Sequence, residues 1–320
     1  MFADLADPQA IDQAVRARLA DSIDHIADRA DRFLRLDRSG LEKALDQIRH
    51  KRQDPGVFAR YFELVPAVTS GDFTLADRLI AEIVGLAHKS MAFAIVPYDE
   101  ATLGDDFERF PRLLFSEFSD ANPMATPGHD LFAGSAKRLH EAIEIIRQVD
   151  AGLHAEISAL LVRIIVSSAR HQTRKFDGVT SFMVWGATFI NADSHQTLPN
   201  MVHFLVHEIT HSLLFGLSTD APLVLNSPTE SYLAPLRTDP RPMDGIYHAT
   251  LVCARLAAFD LAWLDSDCLE RTDRPAIERA ANEMAMRFRK GVDVVAEHGE
   301  LSELGRLLIE RSSLAPPVPA

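Results

Sequence analysis

Cysteine is nearly missing from this chain: Cys253 and Cys268 are the two present in 320 residues. Their spacing suits neither a disulfide framework nor a paired metal or redox motif, so both read as reduced thiols of an intracellular protein. Positive charge is also scarce. The 33 Lys and Arg stand against 46 Asp and Glu, a formal net charge of −13. A surface of that sign cannot replace the counterions of a nucleic acid, and no nucleic-acid partner is expected. No apolar run approaches the roughly 20 residues of a membrane span. The start, MFADLADPQAIDQAV, is acidic and lacks the basic opening and apolar core of a secretory signal. A glycine-rich phosphate loop, a Gly-x-Ser-x-Gly elbow, an internal repeat and a low-complexity block are all absent. What is left, 47% hydrophobic and 25% charged, is an ordinary globular composition, expected to be soluble and cytoplasmic.

The apolar pattern is mostly helical. Residues 9–37 place Ile11, Val15, Leu19, Ile23, Ile26, Phe33 and Leu34 at helical intervals among Asp and Arg, as one amphipathic helix or two. Ser39-Gly40 reads as a break before a short helix over 41–50, and 74–88 as a helix capped by Thr74. Met91–Pro97, short and apolar, predicts a buried strand. Pro123, Pro127, Gly128 and Gly134 mark 119–135 as a loop or seam. Helices are predicted over 134–149 and 153–169. Val179–Asn191, rich in β-branched and aromatic residues around Gly186, predicts one or two strands. Asn191–Asn200 is a turn that ends on Pro199 and Asn200, residues suited to a helix start. Five prolines keep 221–242 irregular. Helix returns over 244–264, then over 274–314 as one long helix or a hairpin of two, and the tail APPVPA is read as frayed. The expected fold is mainly α with a small β component (α+β). Its expected regions are 1–130, mostly helical, and 131–320, holding the motif below, or one continuous domain.

One stretch names its own chemistry. Pro199–Leu217 is an apolar helix carrying His207-Glu208-Ile209-Thr210-His211, an H-E-x-x-H. Histidines four residues apart lie one above the other on a helix face, so both can meet one metal ion, with Glu208 beside it. His203 extends the stripe by one turn. A face drifts by about 40° every four residues, which argues against three ligands to one ion from one helix, so His203 reads as a pocket residue. A catalytic ion needs a third protein ligand and open positions. Two residues are candidates: His248, opening a helix after Gly245, and Glu230, set among prolines 19 residues after His211. His248 is the favoured one. Arg237 and Arg241, held in a proline-stiffened loop, suit the capture of a carboxylate, or brace that loop through Asp239 or Asp244.

The run from His207 to about Arg255 resembles the HExxH-motif peptide-modification proteins of ribosomal-peptide pathways. The resemblance rests on HEITH, on Pro235-Leu236-Arg237-Thr238-Asp239-Pro240-Arg241-Pro242, and on Gly245 and His248. It implies an Fe(II)- and 2-oxoglutarate-dependent dioxygenase that hydroxylates a C–H, at the β-carbon, in a precursor peptide with O2 as cosubstrate. Under it His207, His211 and His248 hold the metal, Arg237 or Arg241 binds the cosubstrate, and Glu208 orients a ligand or the substrate. The motif read without the resemblance gives a zinc metallopeptidase with Glu208 as general base. A third reading is a peptide-binding module with a structural metal site.

Overall fold

The structure, a computed structural model, describes residues 7–89, 91–115, 122–170, 176–234 and 239–313. Helix α1 (Pro8–Arg29) turns Ile11, Val15, Leu19 and Ile23 inward. The next three helices, α2 (Arg38–His50), α3 (Pro55–Ser70) and α4 (Phe73–Ala87), each open on an aspartate. Asp37, Asp54 and Asp72 accept hydrogen bonds from the amides of Gly40, Gly56 and Leu75, which satisfies donors left open at a helix start. Two expectations are corrected by these caps. Ser39-Gly40 is the first turn of α2 and not a break, because Asp37 takes up the Gly40 amide. Thr74 lies inside α4, which Asp72 caps. Helix α3 was not anticipated; Pro66 in its interior disguises it.

The middle of the chain builds a five-stranded mixed sheet. Strand β1 (Ala94–Pro97) is followed by α5 (Glu100–Leu103), α6 (Asp106–Leu114), β2 (Met124–Ala125), α7 (His129–Val149), α8 (Ala151–Leu160), β3 (Arg163–Ala169), β4 (Gly178–Thr180), a short 3-10 turn (Phe182–Val184) and β5 (Ala187–Asn191). The order is β1-β3-β5-β4, with β2 also pairing β3. Strand β3 is parallel to both β1 and β5, with Ile164 opposite Ile95 and Thr188. The helix predicted over 153–169 therefore stops at Leu160. Ile164, Ile165 and Val166 are fully buried, and a β-branched run covered on both faces is the signature of a central parallel strand. The expected strands near 91–97 and 179–191 are present, though β1, at the edge of the sheet, is only half-buried. Gly186 turns the chain into β5 at φ 89°, where an added Cβ would come within 3.2 Å of a Val162 methyl. Of the seam expected over 119–135, residues 119–121 lie outside the described residues, and α7 already begins at His129.

The C-terminal portion is helical. Helix α9 (Leu198–Leu217) carries the motif, and the proline-rich stretch after it holds only a two-residue ladder, β6 (Tyr232–Leu233) with β7 (Pro240–Arg241). Helices α10 (Met243–Leu264), α11 (Arg274–His298) and α12 (Glu303–Ser313) follow, so 274–314 is a pair of helices. Residues 315–320, the APPVPA tail, lie outside the described residues. Two compact units emerge, and neither is one continuous stretch. One contains Pro8–Lys137 and Ile157–Gln196, the other Met1–Asp7, Arg138–Glu156 and Thr197–Ala320. The sheet of residues 163–191 thus belongs with the N-terminal helices, whereas the motif helix has a unit built around α10. In the first unit Tyr98, Phe110, Ile165 and Phe189 form the core. Arg60 and Arg109 there share Asp106 and Glu82 in a buried ion network. In the second, α10 buries fifteen residues from Met243 to Trp263, and Tyr247 donates to the Gly305 carbonyl at 2.9 Å. No helix among the described residues is long and apolar enough to cross a membrane.

Candidate metal centre

Thr197 starts α9: its hydroxyl accepts from the Asn200 amide at 3.3 Å, and Pro199 stands in the first turn, where its missing N–H costs nothing. From Met201 to Gly216 every residue of the helix is buried except His203, His207, His211 and Phe215. A stripe spaced by four residues is therefore the sole accessible face of an otherwise enclosed helix. Burying so much of α9 fixes the side from which these rings project, which is what a ligand-holding face requires.

Nε2 of His211 and Nε2 of His207 lie 3.2 Å apart. Two imidazole nitrogens bound to one ion at about 2.1 Å stand about 3.0–3.4 Å apart for coordination angles between a right angle and the tetrahedral value. The pair fits one ion, and its second nitrogens remain for outer contacts. Burial, with the neighbouring His207 and His248, pushes His211 well below the ordinary imidazole range. His248, also lowered by burial against the opposing pull of Asp244, is 6% exposed. Neutral rings are the form that binds metal, since no proton has to leave first.

His248 comes from α10. Its ring centre lies 5.8 Å from that of His211, with the planes 26° apart, and 5.4 Å from Phe215. Its Nε2 is 3.6 Å from the Asp244 carboxylate. Among the described residues no three His, Cys, Asp or Glu side chains already stand as a metal-holding group. The residues thus supply a two-histidine half-site with a third imidazole beside it. Glu230 is engaged elsewhere: it accepts from the Tyr232 hydroxyl at 2.7 Å, and Tyr232 stacks on His298. Glu208, unlike its two flanking histidines, is buried at 5% exposure. Arg241 pairs with Asp239 at 2.8 Å in an exposed contact, the bracing role foreseen for one arginine of this loop. Arg237 lies outside the described residues.

His203 contacts a residue that sequence reasoning passed over. Its Nε2 is 2.6 Å from Oδ1 of Asp260, a fully buried carboxylate on α10. A signal for it existed: Asp260 interrupts the apolar run AAFDLAWL, and an acidic residue inside a helix buried on most sides implies a partner. No protein-family model matches the chain, and no curated protein matches it.

Proposed function

We propose that the chain is an Fe(II)- and 2-oxoglutarate-dependent hydroxylase that acts in the cytoplasm on a C–H, at the β-carbon of a residue in a ribosomal peptide. The observation that carries the reading is the 3.2 Å approach of the His207 and His211 nitrogens on the accessible stripe of α9, with the buried His248 ring beside them. Three imidazoles suit Fe(II) and leave open positions for a chelating 2-oxo acid and O2. The sequence resemblance adds the 2-oxo acid and the peptide.

When bound, the iron with 2-oxoglutarate and O2 supplies the oxidant: the 2-oxo acid becomes succinate and CO2, and one C–H of the peptide becomes C–OH. The chain's own residues do the holding. His207, His211 and His248 would hold the ion, and the buried packing of α9 holds the helix that presents the first two. Arg241 serves the cosubstrate by exchanging its exposed pairing with Asp239, a contact of about 0–1 kcal/mol, for a ligand carboxylate; Arg237 is the other candidate for that role. Glu208, buried at 5% exposure, is assigned the role of orienting a ligand rather than that of a base on metal-bound water.

The deciding experiment incubates anaerobically iron-loaded protein with 2-oxoglutarate, O2 and candidate peptides. Succinate and a +16 Da peptide product are expected. Cleavage of a peptide without O2, abolished by Glu208→Gln, would instead assign a zinc metallopeptidase, because that variant removes the general base.

A further inference from the structure

The pair His203–Asp260 stands outside the roles given so far. Asp260 is fully buried, its Oδ2 has no hydrogen-bond partner among the described residues, and its one ion-pair contact is His203 at 2.6 Å. His203 is different: its side chain is 26% exposed, and it lies on the accessible stripe one turn before His207. Nε2 is occupied by the carboxylate, and no second hydrogen bond to His203 is found among the described residues. With Nε2 on Asp260, Nδ1 is the ring nitrogen left for whatever binds over the stripe.

Charge decides what that edge offers. A buried carboxylate with no other compensating group among the described residues is costly, so the pair favours states of zero net charge. There are two. Either an anionic Asp260 faces a cationic His203, or a protonated Asp260 donates to Nε2 of a neutral ring. In the first, both ring nitrogens carry hydrogen. In the second, the hydrogen of the neutral ring must sit on Nδ1. Both states thus present an Nδ1–H donor. Only the state with net charge −1 would present a lone pair there, and burial, which pushes the Asp260 carboxyl up against the opposing pull of His203, acts against it.

We infer that His203 is a ligand-binding residue whose Nδ1–H, fixed by Asp260 as its positioning residue, donates to the far carboxylate of the 2-oxo diacid chelated at the His207–His211 ion. The inference rests on the function proposed above. The four residues from His203 to His207 rise about 6 Å along the helix, within reach of the far end of a five-carbon diacid bound at the pair. A carboxylate accepts such a hydrogen bond more strongly than a neutral oxygen does. His203 would share that carboxylate with Arg241, whose exposed pairing with Asp239 is the one exchanged for it.

Zinc-loaded protein, a diamagnetic stand-in, allows two measurements. In long-range 1H–15N spectra, His203 Nδ1 should carry hydrogen in the wild type, and that signature should change in Asp260→Asn. A bare Nδ1 in the wild type would overturn the inference, whatever the activity of the protein. In calorimetric titrations with 2-oxoglutarate, His203→Phe should weaken binding about 10-fold or more at unchanged zinc content. His203→Gln, which keeps an N–H donor, should recover part of the loss, an outcome that a space-filling role would not give. Wild-type binding with equal affinity in His203→Phe sinks this inference and leaves the proposed function standing. No binding of 2-oxoglutarate by the zinc-loaded wild type removes both.

Discussion

His211 of α9 faces His248 of α10 with ring centres 5.8 Å apart and planes 26° from parallel, so the second helix brings a third imidazole to a pair that the first helix makes alone. That relationship separates the candidate ligands. His207→Ala and His211→Ala are each expected to weaken metal binding by more than the about 10- to 100-fold typical of losing an outer partner, and His248→Ala likewise. Glu230→Gln, whose carboxylate is tied to Tyr232, should leave metal affinity unchanged. Metal analysis of dialysed variants checks this, and a Glu230→Gln protein that loses its metal would overturn the assignment.

Tyr98 gives a pH prediction independent of the site. Its hydroxyl donates to the Phe107 carbonyl at 2.7 Å and accepts from Asn122 at 2.8 Å, and burial pushes it up to about 12. The unfolded tyrosine ionises near 10. The folded state thus holds its proton longer, and the stability this represents is full below about pH 10 and lost as pH rises toward about 12. The loss amounts to about 2–3 kcal/mol. Urea melts should show Tyr98→Phe weaker than wild type by about 1 kcal/mol near neutrality, with the two crossing between about pH 10 and 12 so that the variant is the more stable at the top of that range.

Gly291 should resist enlargement. A Cβ there would fall on the Thr250 hydroxyl oxygen and lie 2.9 Å from both Thr250 carbons beyond Cα. Thr250 is fully buried and bonded to the Ile246 carbonyl at 2.7 Å, so it has little room to move. Gly291→Ala is expected to cost about 1–3 kcal/mol by overpacking α10 against α11, read as a lowered melting temperature. The same change at Gly85, where nothing lies within 4 Å of the added carbon, should be neutral or stabilising.

The two thiols should differ in reactivity. Burial raises Cys253 to about 11, whereas Cys268 is half-exposed. Titration with a disulfide reagent near pH 8 should label Cys268 in the native protein and Cys253 only after denaturation.

The legible parts of the fold were those whose cause is local. The amphipathic spacing of Ile11, Val15, Leu19 and Ile23 announced α1, and the β-branched, aromatic character of residues 187–191 announced β5. The errors fell where neighbours override local preference. Residues 163–169 continue an apolar pattern that a helix would also satisfy, and only flanking by β1 and β5 makes them a strand. Thr74 is a sound cap by type, but Asp72, two residues earlier, provides a carboxylate that reaches the Leu75 amide.

For the site, spacing by itself determined that His207 and His211 share a face, since 3.6 residues per turn leaves no other outcome on a helix. It also placed His203 on the same stripe. The tertiary structure decided what packing decides: that this stripe is the accessible face of α9, that Glu208 is buried, that Glu230 is spent on Tyr232, and that Asp260, 57 residues along the chain, holds His203. A helix fixes angles among its own side chains through its hydrogen bonds. Which side of it stays open, and which charge from elsewhere comes to meet it, depends on burial by helices far apart in the chain.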